Sequence, residues 1–454
     1  MRAEVRADET SVFPRLPNVA CPNIARGEGV WLHRVDGHEI LDACSGGAMA
    51  ACLGHGVREL VGAAADQASR LSYVYNHHFT NEPQEALAER LLEVAAPGMA
   101  RVRFVSGGSE ANETALRLAR SYHVERGEGD RWRVISPAPS YHGATLGALG
   151  LTGRASLLSP YERYVAPHLH VASEPWCSDP SGEALLAELD RLLDEAGPHT
   201  VAAFICEPVG GAALPGHSPP AGFWEGLAER RTRHGFLICL DEIVTGMGRT
   251  GSWFAFHDLP LEPDIVTAGN GLGCGHAPLA AALCQEHVYE EIAQGSREFE
   301  HGHTWDGAPL PCAVGLAALD YLVEHDLVES VAARGPMLRR EIERAIDGAS
   351  IVAEVRGCGF LFGVELVDPR DGESGLAAEL DAAALVDRTA IDHGLLVTST
   401  HAGADGYAGD QILLAPAYTA GDEDLVEMTD RLASTIAEVE RKVEAVLAGS
   451  RAAS

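Results

Sequence analysis

A chain of 454 residues is long for a single hydrophobic core, so two lobes are expected. Its formal net charge of −32 excludes a surface that attracts nucleic acid or anionic membrane. With 46% hydrophobic residues and no uncharged apolar run of membrane-spanning length, it reads as a soluble globular protein.

The opening segment, MRAEVRADETSVFPRLP, has no apolar region of the secretory type. Ten cysteines stand singly, several inside apolar runs (Cys206, Cys239, Cys284), as the reduced thiols of a cytoplasmic protein do. The first sixty residues are expected to pack on a large lobe or on a dimer partner. Residues 61–325 then alternate apolar strands with longer helical patterns. Val102–Val105 leads into a helix over Ser109–Arg126, and further strands are predicted at Arg133–Ser136, Val201–Cys206, Phe236–Leu240, Asp264–Thr267 and Ala280–Cys284. Helical patterns at Gly182–Glu195 and Gly222–Arg233 lie between them. Such alternation predicts an α/β lobe with a mostly parallel central sheet covered on both faces. Residues 326–454 are helix-rich (Leu327–Ile346, Leu376–Asp392, Asp422–Ala448), and strands at VRGCGFLFGVEL and DQILLAPA make them a smaller α+β lobe.

Four segments carry chemistry. In FVSGGSEANETALRLAR a strand runs through a Gly-rich turn into a helix, whose first N–H groups and positive dipole end form an anion site around Gly108 and Ser109. Ser109 fits equally as an ordinary helix cap. SYHGATLGALGLTG sets Tyr141 and His142 in a loop after a strand, where an aromatic ring can stack on a planar ligand or lie half-buried at the surface. FICEPVGG and FLICLDEIVTGMGRTG end apolar strands in Glu207, Asp241 and Glu242, where α/β sheets bind ligands. A buried Asp241 needs a cation: either Arg249 or a protonated ring nitrogen of a ligand. The HGH and HH pairs (His301, His303; His77, His78) lack an evident third ligand, so no metal is expected.

The order of these blocks resembles the class III (omega-type) aminotransferases, pyridoxal-phosphate proteins of fold type I. The resemblance runs from about Val12 to Met428, beginning at GEGVWLHRVDGHEILDACSGG and CLGHG and continuing through the four segments above. It ends at HGHTWDGAPLPCAVGLAALD, VRGCGFLFGVEL and DQILLAPAYT. It implies that Gly108 and Ser109 hold a cofactor phosphate, that Tyr141 stacks on the pyridine ring with His142 beside it, and that Asp241 pairs with the ring nitrogen. Glu207 would lie close by. Thr304 would reach the phosphate bound by a neighbouring subunit, which implies a homodimer with shared active sites.

One position departs from the family. Its pattern places a lysine in the turn after the second carboxylate strand, where this chain reads PDIVTAGNGLGCGHAP and has Asn270. In the family that lysine attaches the cofactor aldehyde covalently and then moves the proton. An amide is neither nucleophilic nor basic at neutral pH, and Lys442 lies far along the chain in a predicted helix. The resemblance therefore implies pyridoxal or pyridoxamine phosphate bound non-covalently. A small amine or carbonyl substrate would then undergo lysine-independent amino transfer, elimination or isomerisation. His276 is the candidate replacement base, or else a hydrogen-bonded structural histidine. Alternatives are a non-catalytic binding protein or partner subunit of an active aminotransferase, and an engineered variant whose lysine was replaced by Asn270. Cys274, His276, Trp305, Asp306 and Ala308 also depart from the family, as a shell that changed together with its centre does. No arginine occurs between Arg388 and Arg431, which points to a substrate without an α-carboxylate.

Overall fold

The computed structural model describes residues 3–95, 98–172, 179, 181–401 and 409–452. Its centre is a seven-stranded sheet in the order Met99–Val105, Ala280–Gln285, Ile265–Ala268, Leu237–Glu242, Val201–Cys206, Arg133–Ala138 and Leu169–Ala172. Ala280–Gln285 runs antiparallel to both its neighbours, and the other pairings are parallel. Every residue of Val201–Cys206, Leu237–Glu242 and Ile265–Ala268 is buried, because helices cover both faces. That double cover is why these strands read as unbroken apolar runs. Leu169–Ala172 escapes the periodicity reading: it is a four-residue edge strand with one fully buried side chain, Val171, and a histidine, His170.

The C-terminal part builds an antiparallel sheet in the order Val352–Cys358, Leu361–Leu366, Gln411–Leu414, Thr398–Thr400. The helix expected over Leu376–Asp392 begins only at Ala382. Asp381 stands before it at φ 47°, ψ 51°, a left-handed conformation that no helix interior accepts, and breaks the run. Strands of the N-terminal segment pair with the C-terminal part. Glu39–Asp42 pairs with Trp31–Arg34 on one side and in parallel with Leu395–Leu396 on the other. The amides of Leu41 and Ala43 donate to Gly394 and Leu396 at 2.8 and 3.0 Å, so these strands extend the C-terminal part rather than the large sheet.

Arg249 ties the three parts together. It is fully buried, and one guanidinium nitrogen, Nη1, donates to the carbonyls of Phe360 (3.1 Å) and Pro416 (2.5 Å). Nη2 donates to Ser45 Oγ (3.1 Å) and Cys52 Sγ (3.2 Å), and the cation sits 4.6 Å over the Tyr418 ring. Among the described residues no carboxylate pairs with it. A hydrogen bond from Cys274, against burial, and the Arg249 cation hold the Cys52 thiol below its ordinary range. A cation carried by carbonyl, hydroxyl and sulfur acceptors from three chain segments depends on the flat five-donor geometry of arginine. Arg249→Lys is therefore expected to destabilise the protein by about 2–4 kcal/mol, since one ammonium cannot serve all four acceptors. Urea unfolding followed by circular dichroism measures this, and an unchanged midpoint would refute it.

Candidate active site

The parallel strands Val201–Cys206 and Leu237–Glu242 end side by side, and the residues that follow form the floor of a cleft of about 470 Å³. The large lobe contributes Gly108, Ser109, Asn112, Tyr141, His142, Glu207, Asp241 and Asn270 to its walls. Gly47–Met49 enter from the N-terminal segment and Thr398–His401 from the C-terminal sheet, so the cleft exists only where all three parts meet.

Asp241 lies at its centre and is 4% exposed. The bridge to Arg249, one of the two alternatives for this carboxylate, is not formed. One carboxylate oxygen instead accepts from Asn112 Nδ2 at 2.7 Å and lies 2.7 Å from His142 Nδ1. The other accepts from the Ile243 amide at 3.1 Å and faces Thr267 Oγ1 at 3.4 Å. Asn112 also donates to His142 O (2.7 Å) and accepts from Thr267 (2.9 Å), which fixes its amide orientation. Asn112 and Thr267 were missed by sequence reasoning. The signal for Asn112 was its place three residues after Ser109, on the same face of the Gly108–Glu125 helix.

The start of that helix has no side-chain cap: Gly107 occupies the capping position with no side chain to offer, and Ser109 Oγ accepts instead from the Ala144 amide at 3.0 Å. First-turn N–H groups are thus left facing the cleft. Gly143 makes the close approach possible. At φ 129°, a Cβ there would lie 2.5 Å from Ser109 Oγ.

Asn270 is half-buried in the cleft wall, with its amide nitrogen donating to Ala48 O at 3.0 Å. Ala48 is presented by a turn that requires Gly46 and Gly47 at φ 81° and 82°. The glycines flanking Asn270 serve the chain's own packing: a Cβ on Gly269 would meet Ile243 at 2.9 Å, and one on Gly271 would meet Met247 at 2.7 Å. Lys442 is remote, in the Asp422–Ala452 helix, where its ammonium pairs with Glu438 at 2.7 Å. His276 is outside the residues lining the cleft, with Nδ1 2.9 Å from Cys274 O. His401 lines it instead. Thr304 is exposed on a different, larger concavity of about 1230 Å³. His301 contacts Thr114 Oγ1 there (2.8 Å) and His303 contacts Asp306 (3.1 Å), and among the described residues no group of three or more His, Cys, Asp or Glu side chains is placed to hold a metal.

Glu207 accepts from the amides of Gly211 (2.9 Å) and Tyr141 (3.3 Å), but burial dominates and lifts its carboxyl to about 7, with nearby His142 opposing the rise. A carboxyl whose folded pKa exceeds its ordinary value of 4.5 stabilises the fold fully below about 4.5, and that contribution is lost as pH rises through about 7. In the protein without added ligand, the melting temperature of the wild type should therefore fall relative to Glu207→Gln between pH 4.5 and 7 and then level off. A difference that does not vary with pH would exclude the protonated Glu207.

Comparison with known proteins follows the same geometry. Residues 15–436 match the family model of the class III aminotransferases. The chain is 33% identical over 432 residues to the uncharacterized aminotransferase YodT of Bacillus subtilis, covering 94% of this chain and 97% of that protein. Among solved structures it superposes on an (S)-enantioselective omega-transaminase from Thermomicrobium roseum, with a TM-score of 0.85, 32% identity and 92% of both chains covered. It also superposes on the Pseudomonas jessenii omega-transaminase in complex with PMP, with a TM-score of 0.87, 29% identity and 96% and 97% of the two chains covered. The chain belongs to the class III aminotransferases.

Proposed function

We propose that this chain binds pyridoxal or pyridoxamine phosphate without a covalent link and acts on a small amine or carbonyl substrate by lysine-independent chemistry. The observation that carries this reading is a cleft with anion-seeking and cation-seeking ends and Asn270 in its wall. The residues fit the cofactor. Uncapped N–H groups at Gly108–Ser109 suit a phosphate, and the buried Asp241 carboxylate suits a protonated ring nitrogen. Tyr141, half-buried beside them, suits the ring face. Once bound, the cofactor would supply an electron sink for breaking a bond at the substrate's amine-bearing carbon.

The chain's own residues would do the remaining work. Asn112 and His142 hold the Asp241 carboxylate in one orientation, so its charge is already in place before a ligand enters. Asn270, tied to Ala48 O, would offer a neutral hydrogen-bonding amide where a lysine would offer a nucleophile. Loss of a positioned general base costs roughly 10²–10⁴-fold in rate, which makes slow turnover the expectation. His276 receives no support as the replacement base from its place outside the cleft.

A homodimer is part of the reading. Thr304 lines a concavity other than the cleft of its own chain, Trp305 beside it is 59% exposed, and Phe79 is 64% exposed. Large exposed aromatic groups of this kind call for a covering surface.

Borohydride reduction of the cofactor-loaded protein, followed by denaturation and mass measurement, should leave no cofactor on the wild-type chain and one on Asn270→Lys. An adduct on the wild type would sink the non-covalent reading. Asp241→Ala should weaken cofactor retention by about tenfold or more, as loss of a charge-assisted hydrogen bond does. Retention equal to wild type would remove Asp241 from the site.

A further inference from the structure

Cys274, one of the departures from the family, follows Asn270 on the same short turn, and folding sets it against Cys52 of the N-terminal segment. Backbone packing holds the two together from both sides. The Leu53 amide donates to the Cys274 sulfur, and a Cβ on Gly275 would lie 3.1 Å from the Ala51 Cα. Ala51 and Leu53 flank Cys52, so the thiol between them is brought to Cys274, and the two side chains share a hydrogen bond. Cys274 stands at φ 46°, ψ 35°, a left-handed conformation that a residue with a side chain holds only where its surroundings fix it. Both thiols are buried, Cys52 at 1% exposed and Cys274 at 0%, yet the cleft is close. Cys52 Sγ lies 3.2 Å from Met49 O, and Met49 and Asn270 both line the cleft. Arg249 Nη2 reaches the same sulfur at 3.2 Å, and a neighbouring guanidinium favours the thiolate, the form of cysteine that reacts.

We propose that Cys52 and Cys274 are an oxidation site, forming a reversible disulfide that clamps the turn of Asn270 to the N-terminal wall of the cleft. The oxidant is a small hydroperoxide, hydrogen peroxide being the simplest. The Cys52 thiolate attacks one peroxide oxygen: an S–O bond forms, the O–O bond breaks, and hydroxide leaves and takes up a proton to become water. The Cys274 thiol then attacks the oxidised sulfur, so that the S–S bond forms, the S–O bond breaks and a second water leaves with the Cys274 proton. The two sulfurs together lose two electrons and the peroxide gains two. Cys44, also near Arg249, does not compete, because burial pushes its thiol up to about 12. The crosslink holds the Ala48 carbonyl at the Asn270 amide by a covalent bond between their two segments. It forms with or without a cofactor and so stands apart from the reading above.

The experiment treats the full-length protein with hydrogen peroxide, removes the excess with catalase, blocks remaining thiols in denaturant and maps the unreduced peptides by mass. Wild type should give the Cys52 and Cys274 peptides joined, lighter by two hydrogen atoms than the separate pair, and dithiothreitol should release them. Cys274→Ser should instead leave Cys52 as a sulfenic acid that dimedone traps. The exposed thiols Cys21 and Cys358 are read separately in the same map. Hydrogen exchange at residues 46–53 and 270–275 should then be slower by about fivefold or more in the oxidised protein than in the reduced one, as a clamp on local opening requires. Both thiols intact after peroxide, Cys52 joined to another cysteine, or Cys52 taken straight to sulfinic acid overturns the pairing. Unchanged exchange in the linked protein overturns the clamp. The wild-type map needs no substitution and decides the pairing even where Cys274→Ser fails to fold.

Discussion

A carboxylate buried at the end of a central strand must be compensated, and the way Asp241 is compensated organises the site. Its partners come from the Gly108–Glu125 helix (Asn112), the loop after the Arg133–Ala138 strand (His142) and the neighbouring strand Ile265–Ala268 (Thr267). None of the three can shift without leaving a buried polar group unpaired, which costs roughly 1–3 kcal/mol. The helix start, the aromatic loop and the turn carrying Asn270 are thereby held in fixed relation around one negative charge. A site held this way is pre-organised before any ligand binds.

Arg249 plays the complementary part for the chain as a whole. It follows the same strand as Asp241, yet it reaches away from the cleft to carbonyls of the C-terminal part and to Ser45 and Cys52 of the N-terminal segment. The Ser45 hydroxyl in turn donates to Ala415 O at 2.6 Å. This link places Gly47–Met49, and with them the Ala48 carbonyl, against Asn270. The two buried charges of one segment thus divide the labour: one shapes the ligand cleft and the other closes the three parts of the chain around it.

Much of this was legible in the residues. The fully buried strands announced themselves as apolar runs, and the carboxylates at their ends marked the floor of the cleft, because parallel sheets place their strand ends together. The Gly-rich turn was legible as the start of the Gly108–Glu125 helix. Elements that depend on remote partners did not read. The short Leu169–Ala172 strand exists because it has an edge to pair with. Glu39–Asp42 found Leu395–Leu396 through pairing that no local pattern encodes. The choice of Asp241 between Arg249 and other partners was likewise settled by distance in space.

What the sequence determined by itself is a matter of which groups exist. Folding can move a side chain but cannot supply an amine, so a chain whose lysine is Lys442 alone has none to place where Asn270 stands once that residue is held in the C-terminal helix by Glu438. What only the tertiary structure decided is which groups meet. His276, close to Asn270 in sequence, turns to a backbone carbonyl outside the cleft, whereas Arg15, Arg154 and His401, distant in sequence, line it. The physical reason is that proximity in a folded chain follows from buried pairing and strand order, and these join segments that the sequence keeps apart.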